Sequence, residues 1–247
     1  MSGRRGVTLM EVLIAVSLLS LLSVGMLMAM RVGLNALGRA NERLMENRRV
    51  ASVERILESQ IAALMPVMAQ CLVNEQGGRM RMPFFQGEPR AMRFVSSYSL
   101  EEAWRGRAQI LEYLVIPGEN GRGVRLVVNE IPYANPYITG LLCLGRTPDP
   151  ATGTAIPRFR PIEAGPRSFV LADRLAECRF LYLGPPPPGA PSQAPDMWRS
   201  LWILDNWPAA VRVEMVPLEE DAARLRPVTL TVPVRIRRSP EIAYGDY

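Results

Sequence analysis

The chain has no histidine and no lysine. Without an imidazole there is no Ser-His-Asp or Cys-His relay, and most zinc sites lose a ligand they depend on. Every basic residue is arginine. The formal charge of +5 is modest for 247 residues, and acidic and basic side chains are interspersed without a dense basic block. That pattern argues against nucleic-acid binding. Cysteine is scarce as well. Cys71, Cys143 and Cys178 stand in no metal-binding spacing. In an oxidising compartment one disulfide can close and one thiol is left over, and the spacing does not choose the pair. As thiols they would serve as small buried apolar residues. Glu219-Glu220-Asp221 is the one tight acidic cluster in the sequence. Three adjacent carboxylates fit a solvated turn better than the spaced oxygen ligands of a calcium site. No carboxylate pair stands out for glycoside chemistry. The expectation is a non-enzymatic chain with no catalytic residue, no cofactor and no metal.

What the sequence does have is one long apolar run. From Val7 to Met30, about 24 residues carry Glu11 as their single charge, and as a helix they would extend roughly 36 Å, enough for a hydrocarbon core of about 30 Å. The run holds about a dozen Leu, Ile and Val, each favouring insertion by roughly 0.3 to 0.6 kcal/mol, against about 2.5 kcal/mol or more for a central carboxylate. Insertion wins. Glu11 weakens it, and a carboxylate kept in such a segment marks a functional site. An ordinary secretory signal peptide fits worse, because the run is too long and no small-residue cleavage site follows it.

The residues Gly6-Val7-Thr8-Leu9-Met10-Glu11, after the basic leader Met1-Ser2-Gly3-Arg4-Arg5, resemble the class III signal of type IV prepilins and type II secretion pseudopilins. Thr8, Leu9 and Glu11 fall in the places of that signal, while Val7 stands where phenylalanine or methionine is more usual. The resemblance implies cleavage between Gly6 and Val7 by a prepilin peptidase, N-methylation of Val7, and assembly into a helical filament. Thr8, Leu9 and Glu11 would serve that assembly. It also implies a single pass through a bacterial inner membrane, with the N-terminus cytoplasmic and the C-terminal domain periplasmic.

Beyond the run, no proline interrupts the chain until Pro66. Leu34, Leu37, Leu44, Val53, Ile56, Leu57, Ile61 and Leu64 recur at three- and four-residue steps among Arg and Glu, the pattern of an amphipathic helix. From residue 74 the period changes to short β-prone runs: 92–97, 109–116, 124–130, 168–171, 177–183, 210–216 and 228–235. Gly118 to Gly123 falls between two of these and reads as a hairpin turn, since a phosphate loop would need a helix after it. A proline-rich stretch, 184–195, reads as an extended surface loop. Trp198, Trp202 and Trp207 follow it and read as core or hairpin packing. The expected organisation is therefore a leader at 1–6, a transmembrane helix at 7–30, an amphipathic helix at 31–70 and a β-rich domain at 71–247. The fold class is α+β and pilin-like, a long N-terminal helix packed on an antiparallel sheet.

Three stretches are similar to the J-type minor pseudopilin of type II secretion. The first is Ser168 to Leu183, with Arg179-Phe180-Leu181-Tyr182 at its end. The second is the tryptophan segment running into Pro208-Ala209-Ala210-Val211-Arg212-Val213, and the third is Gln86 to Ser96. The long stretch 131–166, the proline-rich insertion and the cysteines depart from that family. This likeness implies a structural component at the tip of a periplasmic filament that exports folded proteins, with I-type and K-type pseudopilins as partners. The alternatives are a minor pilin that primes a type IV pilus and, in another class, a membrane-anchored periplasmic enzyme or sensor.

Overall fold

In the computed structural model the described residues are 9–72, 78–100, 104–148, 153, 155–186, 191, 194–218 and 227–236; the side chains of 38–49, 72, 104 and 105 lie outside the description. The chain divides into two units, Met1–Arg49 and Val50–Tyr247. One helix, α1 (Leu9–Ala62), contributes to both. The expected helix to residue 70 is too long. The chain leaves α1 at Ala62 and enters β1 (Leu64–Met65) and β2 (Met68–Leu72) around Pro66, whose ring cannot supply a helical N–H. Leu64, assigned above to the helical stripe, therefore sits on a strand.

In the second unit the elements follow as β3 (Arg79–Pro83), β4 (Phe85–Gly87), β5 (Ala91–Ser99), β6 (Trp104–Pro117), β7 (Val124–Pro132), α2 (Pro136–Leu142), β8 (Cys143–Pro148), β9 (Ala155–Phe159), β10 (Phe169–Gly184), β11 (Met197–Arg199), β12 (Ala210–Pro217) and β13 (Val228–Pro233). Among the described residues the main sheet runs β1-β5-β6-β7-β10-β12-β13, with β4 beside β5 and β11 beside β10. Its pairings are antiparallel throughout. The pairs β2-β3 and β8-β9 form two small sheets of their own.

Strand alternation explains where the core lies, because neighbouring residues point to opposite faces. On one face Met92, Phe94, Leu111, Tyr113, Leu126, Val128, Phe180, Tyr182, Val211 and Val213 are buried together with Val53, Leu57 and Ile61 of α1. Those three helical residues lie four apart and form one stripe. Polar contacts fix the same end of α1. Gln60 donates to Glu130 at 2.9 Å and accepts from the Tyr113 hydroxyl, and Ser96 donates to the Gln60 carbonyl at 2.8 Å. Glu130 also accepts from Ser99 and from the Leu100 N–H. An α+β, pilin-like architecture is what the described residues show.

The opposite face is covered over only part of its width. Val95 of β5 and Ile110 of β6 are buried there against Val67, Ala69, Cys71, Met82, Phe84, Tyr133 and Cys143, so β2, β3, α2 and β8 form a second layer with β9 beside it. The rest of that face, on β10, β12 and β13, carries Arg179, Arg212, Glu214, Thr229 and Thr231, none of which is buried.

The expected strands near 92–97, 109–116, 124–130, 210–216 and 228–235 are all present. The two at 168–171 and 177–183 are one strand, β10, which continues through irregular pairing between Val170 and Leu175. Arg174 takes φ 55° at that irregularity, with the Asp173 carboxylate accepting its N–H at 2.8 Å. The 118–123 turn joins β6 to β7 and leads into a strand, as its glycines suggested. Trp202 and Trp207 are buried in the main core. Trp202 fits because residues 87 and 184 have no side chains: a Cβ on Gly87 would lie 2.8 Å from that of Trp202, and one on Gly184 would lie 2.6 Å from its ring. Trp198 pairs with Leu183 in the hairpin of β10 and β11, and the Arg212 guanidinium lies 4.0 Å from its ring centre. Residues 187–190 and 192–193 of the proline-rich stretch, and Glu219, Glu220 and Asp221, lie outside the described residues.

Candidate functional site: the apolar N-terminal segment

Leu and Met, neither branched at Cβ, make 9–37 a strong helix former together with Ala, and nothing in that stretch ends the helix. Its side chains are exposed, Leu9 at 83% and Leu21 and Leu22 at 71%. Leu9–Leu37 is long and apolar enough to cross a membrane by length and composition, and among the described residues it is the one helix that is. Hydroxyl groups inside such a span need partners. Ser17, Ser20 and Ser23 supply their own, donating to the carbonyls of Leu13, Ser17 and Leu19 at 2.8, 2.8 and 2.9 Å. Glu11 stands exposed in the first turn of the described helix. Leu9 opens that turn. Gly6, Val7 and Thr8 lie outside the described residues.

The cysteines resolve into two environments. Cys71 of β2 and Cys143 at the start of β8 form a disulfide with Cα atoms 5.0 Å apart, and both are buried in the second layer. Cys178 is a free thiol in the main core, and burial pushes it up to about 12. A thiol held that high is poorly nucleophilic. Among the described residues no group of three or more His, Cys, Asp or Glu side chains could hold a metal.

Sequence reading missed a buried ionic cluster beneath the edge of the second layer. Arg93 is 1% exposed and meets Glu112, its cross-strand neighbour, at 2.7 Å. It also donates to the Gln86 side chain at 2.7 Å and to the Arg160 carbonyl at 3.0 Å. Asn129 bridges Glu112 to the Glu163 carbonyl and accepts from Ser168. Burial holds the Arg93 guanidinium below its ordinary value, opposed by Glu112. The cluster is satisfied by its own members and ties 160–168 to the sheet. The alternation that buries Val95 also buries Arg93, and that was its signal in the sequence. α2 was missed too, although Asn135-Pro136 announces it: the Asn135 side chain accepts from the N–H groups of Tyr137 and Ile138, and proline fits the first helical position.

The N-terminal segment is therefore the part of the molecule whose chemistry points outward. Residues 1–27 match the prokaryotic N-terminal methylation motif. This motif is consistent with the broader type IV pilin and pseudopilin superfamily, and with processing by a peptidase. A comparison with curated proteins finds no match.

Proposed function

We propose that the chain is a non-enzymatic minor pseudopilin, a structural component at the tip of a type II secretion filament, cut after Gly6 and methylated at Val7. The observation that carries this reading is Glu11 in the first turn of an apolar membrane-length helix, within a matched methylation motif. The sheet domain following that helix supports it. The likeness of 86–96, 168–183 and 198–213 to the J-type sequence favours the tip position, with I-type and K-type pseudopilins as neighbours. The Cys71–Cys143 disulfide supports placing the domain on the oxidising, periplasmic side, with the N-terminus in the cytoplasm.

In this reading Glu11 offsets the terminal amine of a neighbouring subunit as helices enter the filament. At an effective dielectric near 20 and about 4 Å, the pair attracts by roughly 4 kcal/mol before desolvation is subtracted. The decisive experiment combines mass spectrometry of the extracted protein with crosslinking in cells. The expected outcome is Val7 as a methylated first residue, and weakened subunit crosslinks in Glu11→Ala with cleavage and insertion unchanged. An intact Met1 in cells with active prepilin peptidase would sink the proposal. Unchanged crosslinks would remove the role given to Glu11. A deletion strain that loses surface fibres yet still secretes would assign the chain to a type IV pilus instead.

A further inference from the structure

The second layer presents a surface that the proposed filament reading does not use. On β3, Met80 and Met82 pack toward the core, so the alternating Arg79 and Arg81 face outward, and both are exposed. On β9, Phe159 packs inward and Arg158 is exposed. Between those flanks lie α2 and the start of β8, where Ile138, Leu142 and Cys143 pack inward. Tyr137, Leu141 and Leu144 are left outside, 58%, 47% and 45% exposed. The result is an apolar strip with arginine on either side.

Two features hold the strip still. A Cβ on Gly140 would lie 2.7 Å from the Gln70 carbonyl oxygen, so α2 rests directly on the backbone of β2. The Cys71–Cys143 bond joins β2 to the residue that follows α2. A surface fixed before contact loses little freedom on binding.

The charges indicate what the strip would meet. Several other arginines, one of them on β8, are already engaged: Arg179 with Glu214 at 2.6 Å, Arg125 with Asp173 and Glu119 at 2.8 Å each, Arg146 with Asp205, and Arg212 over Trp198. Arg79, Arg81 and Arg158 form no ion pair among the described residues; Arg79 only reaches the Gln70 side chain at 3.4 Å. Glu163 is the one carboxylate among the described residues of 133–167. We infer that this layer is a docking surface for a protein segment with an apolar stripe flanked by carboxylates. Leu141 and Tyr137 would be the central anchors and the arginines would set orientation, the roles that Tyr and Arg commonly take at interfaces. The proposal stands apart from the processing of the N-terminus, so either can fail alone.

The test uses the full chain in phosphatidylcholine nanodiscs, titrated with a fluorescent peptide alternating Leu-Phe and Glu-Glu pairs, and with its lysine counterpart. Saturable binding of the acidic peptide alone is expected, weakening as salt rises. Leu141→Glu, and Arg79→Glu combined with Arg158→Glu, should each reduce affinity at least about tenfold. Arg179→Glu, on the open part of the sheet, should leave it unchanged. Circular dichroism and an intact Cys71–Cys143 bond in every variant separate a lost surface from a lost fold. Equal binding of both peptides, or affinity that survives the Leu141 and arginine changes, overturns the proposal. Binding to phosphatidylglycerol vesicles in place of the acidic peptide, abolished by the same arginine changes, assigns the patch to lipid and overturns it as well.

Discussion

Two Arg–Glu pairs sit on the same face of the same sheet and live in different media. Arg93–Glu112 joins β5 to β6 beneath the edge of the second layer, 1% and 7% exposed. Arg179–Glu214 joins β10 to β12 on the open part, with Arg179 52% exposed. Both are cross-strand neighbours, so strand geometry makes them equivalent. Covering makes them differ. The inner pair needs Gln86, Asn129 and the Arg160 carbonyl to complete its hydrogen bonds, whereas water serves the outer one. A charge pair in this fold is thus a structural commitment only where the second layer lies over it.

Removing that cover is the strongest way to break the comparison. The disulfide spans 72 residues of sequence, and opening a loop of that length forfeits about 4 kcal/mol in the chain-entropy account. Cys71→Ser with Cys143→Ser should lower the free energy of unfolding by that order, read as a lower urea midpoint at unchanged m-value. Hydrogen exchange should then rise first in 68–83 and 136–159, while the α1 contacts stay protected. Uniform loss of protection across both faces would show the second layer to be no separate unit.

Next comes the pair itself. Glu112→Ala leaves a buried guanidinium uncompensated and should destabilise by about 3 kcal/mol. Glu214→Ala, as its exposed counterpart, should leave the midpoint unchanged in the same denaturation assay. Equal effects would erase the distinction drawn between the two halves.

The smallest effect at neutral pH concerns the other core. Burial raises Cys178, and it raises Tyr113 and Tyr182 well above their ordinary value, with Glu130 and Glu88 adding to the respective shifts. A group whose folded value is raised keeps its full contribution below the unfolded value and loses it as pH climbs toward the folded one. Stability should therefore hold to about pH 8 and decline above it. Iodoacetamide should label Cys178 only after unfolding. Rapid labelling of the native chain would mean that the helix-side core opens.

Much of this was legible in the sequence, and the reasons differ by region. The apolar run and its lone Glu11 follow from composition alone. The long strands of the main sheet alternate cleanly, so β5, β7, β12 and β13 emerged within about two residues and β6 starts five residues early, whereas the short β1, β4 and β11 are too brief to show an alternation and were missed. β10 read as two strands because Arg174 and its neighbours break the alternation at the irregular pairing. The second layer was the hard part. β3 is made of Arg and Met before its proline, and β2 has no β-branched or aromatic residue, so neither signals a strand, and 131–166 reads as a long insertion because β8 and β9 pair only with one another. The disulfide partner of Cys71 was hidden for the same reason: it depends on how that insertion folds back, which is a tertiary fact. Burial of Arg93 was equally tertiary, since alternation assigns a face but not what covers it.

The placement of the three sulfur atoms has a diagnostic use. Cys178 points to the helix side of the sheet and the disulfide lies on the other, in separate cores. Shifting a strand by one residue turns all its side chains over. A peptide map that found Cys178 joined to Cys71 or Cys143 would therefore report a β10 strand laid down upside down. In a preparation of uncertain quality, the identity of the odd thiol is a gauge of strand register that needs no crystal.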